Sequence, residues 1–187
     1  SSHASLFNDQ GFRVFAPEYR IRKYFKDSTP MDCADDAIAA YEWLVKNAAD
    51  LKIDKDKIII SGYSAGGLLA GIIPIKTTSN TKPHCVILFS ALLNLSPEGY
   101  KGKIVDQIKD KWKPYSPLQA LEKDYPKCYL FVGGKDTTVK RTQSQEFHDK
   151  LIQLKLNSEI FLFPNAGHRP GKEVNEKLLS ILDEIIK

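Results

Sequence analysis

The chain has 187 residues, 42% apolar and 27% charged, enough for one soluble globular domain with a sizeable core and too short for two full domains. Its formal charge of +4 comes from lysines scattered along the chain, which describes a solvated surface and not a nucleic-acid face, so no polyanion partner is expected. No stretch approaches the ~18 apolar residues of a membrane span, no signal-peptide pattern stands at Ser1, and Cys33, Cys85 and Cys128 lack Cys-x-x-Cys spacing, so reduced packing cysteines are expected; the compartment stays open, with the cytoplasm favoured.

Residues 2–10 carry the pattern of a short helix closed by Gly11, and residues 12–16 that of a strand ended by Pro17, Glu18, Tyr19 and Arg20. A polar, irregular stretch to Ser28 then meets Thr29 and Pro30, an N-cap residue with proline at the first helical position and Asp32 in the acid-favoured first turn. Ala34, Ala37, Ile38, Tyr41, Leu44, Val45 and Ala48 recur at helical spacing, so an amphipathic helix should run to Asp50 and pack on a sheet. Asp54 and Asp56 resemble part of a calcium loop without its glycine and closing glutamate, which leaves a solvated turn.

Ile58, Ile59 and Ile60 form a continuous β-branched run, the mark of a parallel strand covered on both faces. Gly62-Tyr63-Ser64-Ala65-Gly66 follows at once, and an apolar helix starts at Ala65, to be ended or kinked by Pro74. After a polar loop over 77–83, residues 85–89 read as the next buried strand. Residues 91–121 are less regular, with Pro97, Gly99, Gly102, Pro114 and Pro117 around a lysine-rich segment, 103–113, that a helix would suit; 94–114 is expected to be a short insertion near the site. A strand over 128–132 ends in Gly133-Gly134-Lys135-Asp136, a helix follows over 140–156, and a last strand over 159–163 ends in Pro164-Asn165-Ala166-Gly167-His168. Val174, Leu178, Ile181, Leu182 and Ile185 mark a closing helix. Strands alternating with helices predict an α/β fold with a mostly parallel sheet flanked by helices, in a single domain over 1–187.

In such sheets the loops at the carboxyl ends of the strands converge on one edge, where sites form. Three of these loops carry reactive residues, Ser64, Asp136 and His168. A serine hydroxyl needs a base to take its proton, and that base needs a carboxylate to orient it. Gly62 and Gly66 flank the serine with small residues, as a sharp strand-to-helix turn requires if the hydroxyl is to be exposed. Asp136 could instead cap the following helix, and His168 could be a loop histidine without a partner. His148 falls inside a helix, His84 at the entry of a strand and His3 near the N-terminus, and no pair of histidines has zinc-ligand spacing, so no metal is expected.

The chain resembles the α/β-hydrolase fold, and within it the esterases related to hormone-sensitive lipase and the small acetyl- and feruloyl-esterase-like enzymes. The resemblance rests on GFRVFAPEYR at 11–20, DCADDAIAAYEWLVKNA at 32–48, IIISGYSAGGLLA at 58–70, YSPLQAL at 115–121, CYLFVGGKDTTV at 128–139 and PNAGH at 164–168. It implies Ser64 as nucleophile, Asp136 as acid, His168 as base and the Ala65 backbone N–H as one oxyanion donor. It also implies a His-Gly-Gly-Gly segment that completes the oxyanion hole, and a strand between those at 12–16 and 58–61; both precede Ser1 in the family pattern. A fragment of a longer protein is therefore expected, with strands from a second chain or direct pairing of the two strands as the alternatives.

The expected function is hydrolysis of carboxylic esters through an acyl-enzyme, with no cofactor and a small-molecule ester as substrate. The short insertion leaves little material for a large lid, so small acyl groups are expected, for example on a sugar or polysaccharide. The same residues suit an amidase, formamidase or peptidase, and the missing oxyanion segment suits a non-catalytic α/β-hydrolase-like binding protein. Assembly into a homo-oligomer stays open.

Overall fold

Residues 2–100, 109–169 and 171–186 are described by the structure, a computed structural model. Four strands, β1 (Ile59–Tyr63), β2 (Cys85–Phe89), β3 (Lys127–Gly133) and β4 (Ser158–Phe163), form one sheet in that order, every pair parallel. The helices are α1 (Ser2–Asp9), α2 (Pro30–Lys46), α3 (Ala65–Lys76), α4 (Pro117–Ala120), α5 (Thr142–Gln153) and α6 (Lys172–Ile186). This is the expected α/β architecture, a parallel sheet flanked by helices.

Alternation of side chains along a strand assigns each face of the sheet to its own helices. Val86, Leu88, Cys128 and Leu130 pack with Ala70 of α3 and with Phe147 and Leu151 of α5. Cys85, Ile87, Phe89, Tyr129 and Phe131 point the other way, onto Leu178, Ile181 and Leu182 of α6 and Phe7 of α1. Helix α2 lies against α3 through Ala34, Ala37, Ile38 and Tyr41. The central strands β2 and β3 are accordingly apolar and buried almost throughout, whereas β1 and β4 at the sheet edges are half-exposed. Burial pushes the Cys85 thiol up to about 12 and the Cys128 thiol upward as well, so both behave as apolar packing groups.

One local expectation is corrected, and of the two outcomes expected at Pro74, an end or a kink of the helix, the end is set aside. Residues 12–16 form no strand: Phe12 and Val14 rest on the core beneath the sheet and Phe15 is exposed. A strand persists through its ladder, and β1 pairs only with β2 among the described residues, so direct pairing of the 12–16 segment with β1 does not occur. Pro74 lies inside α3, which ends only at Lys76. There the carbonyl of Pro74, near the helix end, accepts a hydrogen bond from Lys82 Nζ at 2.7 Å. Of the lysine-rich segment 103–113, residues 103–108 lie outside the described residues, and Lys109–Tyr115 forms a 3-10 turn. Among the described residues no helix is long and apolar enough to cross a membrane.

Candidate active site

The parallel register aligns Tyr63 with Phe89, Phe89 with Phe131 and Gly133 with Phe163, so all four strands deliver their carboxyl ends to one edge. Ser64 sits between β1 and α3 with φ 55° and ψ −118°, a conformation that non-glycine residues adopt only under constraint. The constraint is visible in its backbone. Its N–H donates to Phe89 O at 3.0 Å, and its carbonyl accepts from Gly67 at 2.9 Å and Leu92 at 3.1 Å. The turn is so tight that a Cβ at Gly62 would stand 2.1 Å from the Gly66 carbonyl oxygen.

Asp136 and His168 come from the loops after β3 and β4, which are laced together by Gly134 N–H to Phe163 O at 2.8 Å and Lys135 N–H to Ala166 O at 2.9 Å. The structure brings all three predicted side chains into one hydrogen-bonded row. His168 Nε2 lies 2.9 Å from Ser64 Oγ, and His168 Nδ1 lies 2.8 Å from Asp136 Oδ2. The Asp136 side chain is 2% exposed and that of His168 18%, so the row runs from a dry carboxylate outward to the serine. Burial alone would push the Asp136 carboxyl up, but hydrogen bonds from His168, Val139, Thr138 and Ser90 outweigh it and hold the group below the usual carboxylate range. Its Oδ1 accepts the Thr138 and Val139 N–H groups at 2.8 and 3.0 Å. Capping of this turn and pairing with His168 therefore occur together and do not compete.

A hydroxyl, an imidazole and a buried carboxylate linked in this way can pass a proton from the serine to the imidazole while the carboxylate stabilises the resulting cation. The other histidines within reach of description are elsewhere: His148 bonds Ser158 Oγ at 2.9 Å and the His84 N–H donates to Ile58 O at 2.8 Å, both near the amino ends of the strands. Ala65 opens α3, where the first N–H groups of a helix have no intrahelical acceptor.

Two neighbours were not singled out from the sequence. The Tyr63 ring lies 4.9 Å from the His168 ring, tilted by 45°, an aromatic face beside an imidazole that turns cationic when it takes a proton. Ser90, the first residue after β2, is buried, and its hydroxyl helps to hold the Asp136 carboxyl below the usual range. Its signal was its place at the carboxyl end of a strand, the same feature that drew attention to the other three.

The model of the prolyl oligopeptidase family matches residues 1–184. The ethyl acetate hydrolase of Pseudomonas putida is 38% identical over 69 residues, 37% of this chain and 21% of its own length. Lipase 2 of a Moraxella strain is 33% identical over 66% of this chain and 29% of its own, so the chain spans less than a third of these two curated relatives. Among solved structures, esterase 2 of Thermogutta terrifontis phosphoramylated by tabun superposes with a TM-score of 0.83 at 25% identity, over 99% of this chain and 74% of that one. The same esterase with butyrate bound gives a TM-score of 0.75 at 26% identity, over 90% of this chain and 69% of that one. The matching family model is thus the prolyl oligopeptidase one, alongside the esterase relatives that the motifs resemble. The chain belongs to the prolyl oligopeptidase family and has the α/β-hydrolase fold.

Proposed function

We propose that the protein is a serine hydrolase cleaving carboxylic esters of small acyl groups through an acyl-enzyme. Ser64 is the nucleophile, His168 the base, Asp136 the acid that orients it, and the Ala65 N–H one donor to the oxyanion. Ser64 Oγ bonds to the ester carbonyl carbon as its proton passes to His168 Nε2, and the carbonyl electron pair moves onto oxygen beside the Ala65 N–H. Collapse of that adduct breaks the bond to the alcohol, which leaves with the proton from His168; water then adds by the same route and releases the acid. The observation that carries the reading is the unbroken row from Ser64 Oγ through His168 to Asp136, with links of 2.9 and 2.8 Å. Relatives named for ethyl acetate hydrolysis and captured with butyrate favour short acyl groups.

Hydrolysis of p-nitrophenyl acetate and butyrate by the full-length gene product and its Ser64→Ala variant tests this. The variant should lose essentially all activity above background; equal rates in the two proteins would refute the proposal. The family match favours a second reading, in which the same residues cleave peptide bonds. A panel of matched ester and amide substrates separates the two through the ratio of kcat/KM values.

A further inference from the structure

The register puts an aromatic side chain on the same rung of all four strands: Tyr63 stands opposite Phe89, Phe89 opposite Phe131 and Phe131 opposite Phe161. Ring centroids are 4.7 Å apart for Phe89 and Phe131 and 5.3 Å apart for Phe131 and Phe161. Tyr63 ends this rung on β1, half-buried against the cluster that the sheet forms with α6, while the next residue, Ser64, turns into the tight bend before α3. The loop after β4 brings His168 across to it, so that the two ring centroids lie 4.9 Å apart with their planes tilted by 45°. Both His168 nitrogens are engaged, Nε2 at 2.9 Å from Ser64 Oγ and Nδ1 at 2.8 Å from Asp136 Oδ2. Hydrogen bonds tolerate moderate bending, so these two alone leave the imidazole free to tilt, and a packed neighbour is what limits the tilt. Tyr63 supplies one at a separation suited to ring pairs and within the ~6 Å at which a cation is drawn to an aromatic ring. Burial lifts the Tyr63 hydroxyl above its ordinary range, so the phenol stays neutral beside the imidazole.

We propose that Tyr63 is a positioning residue for His168, whose ring limits the tilt of the imidazole between Ser64 and Asp136 and favours the cation formed when the imidazole takes the serine proton. The inference rests on His168 serving as the base. It gives the role to the ring and none to the phenolic hydroxyl. The aromatic rung explains how the ring is held: Tyr63 is set by its place opposite Phe89 in the sheet, and the sheet in turn carries the loop of His168. The residue between Gly62 and Ser64 thus does more than fill the turn.

Tyr63→Phe and Tyr63→Leu in the full-length protein test the proposal, since phenylalanine keeps the ring and leucine keeps an apolar side chain without it. Tyr63→Phe should hold kcat on p-nitrophenyl acetate and the rate of fluorophosphonate labelling within about two-fold of wild type. Tyr63→Leu should lower both by on the order of 10-fold, with KM changed by less than about two-fold and a Tm close to that of Tyr63→Phe. Wild-type kcat and labelling in Tyr63→Leu would overturn the proposal. So would a Tyr63→Phe as slow as Tyr63→Leu, a loss confined to KM, or activity losses that merely follow losses of Tm. If the wild-type protein itself neither labels nor turns over, the serine-hydrolase reading fails and the inference goes with it. If the wild type labels and Tyr63→Leu keeps pace, only the role of Tyr63 falls.

Discussion

At Ser64 the strained backbone and the crowding of the turn have a common origin, since the serine can face outward only if β1 and α3 approach within the thickness of a peptide. Gly62 bears that closeness, with a Cβ there only 2.1 Å from Gly66 O, and Gly67 bears it on the other side, where a Cβ would stand 2.4 Å from Ala91 Cβ. Gly66 does not, because nothing lies within 4 Å of a Cβ built on it. The second glycine of the motif is therefore the dispensable one for folding. Gly62→Ala should lower stability by several kcal/mol or prevent folding, whereas Gly66→Ala should leave Tm unchanged or slightly raised, as thermal melts would show. On the roles proposed above, Asp136→Asn, which puts a neutral amide where the carboxylate stands 2.8 Å from His168 Nδ1, should lower kcat by on the order of 10³-fold or more with the fold retained, measurable as kcat beside an unchanged melting profile.

Helix α2 shows which parts of the molecule can be read from residue order and which cannot. Its start was legible because Thr29 and Asp32 form a reciprocal capping box that needs nothing beyond the local chain. The strand expected at 12–16 was not, since pairing depends on a neighbour that a single stretch does not contain. The same limit hid Gly67, whose importance comes from what crosses it in space. Helix α2 also carries three carboxyls held below their usual range: Asp32 by Thr29, Asp36 by Arg20, and Glu42 by the Thr78 backbone and the Thr77 and Thr78 hydroxyls. A group whose folded pKa is depressed adds stability that is present above its unfolded pKa and is lost as pH falls through the folded one. These contributions should therefore be intact at neutral pH and fade below about pH 4. Tm should drop on acidification through that window, and Asp36→Asn, which breaks the 2.7 Å pair with Arg20, should lower Tm at neutral pH and flatten the acid-side fall.

Across the whole molecule, the order of residues along the chain maps onto the geometry of the site in a simple way. Ser64, Ser90, Asp136 and His168 follow β1, β2, β3 and β4 in turn, and parallel pairing puts all four at one sheet edge. That convergence was legible from the alternation of strands and helices, and it is why three of these residues could be named before any coordinates. The distances could not be, because the row depends on the loops after β3 and β4 being laced to each other. The central claim is that this edge activates Ser64, and a covalent probe addresses it directly. Treatment of the folded, full-length protein with a fluorophosphonate, followed by peptide mass spectrometry, should place one adduct on the peptide containing Ser64 and none in His168→Ala over the same interval. A folded protein that stays unlabelled, or an adduct on another residue, would contradict the account.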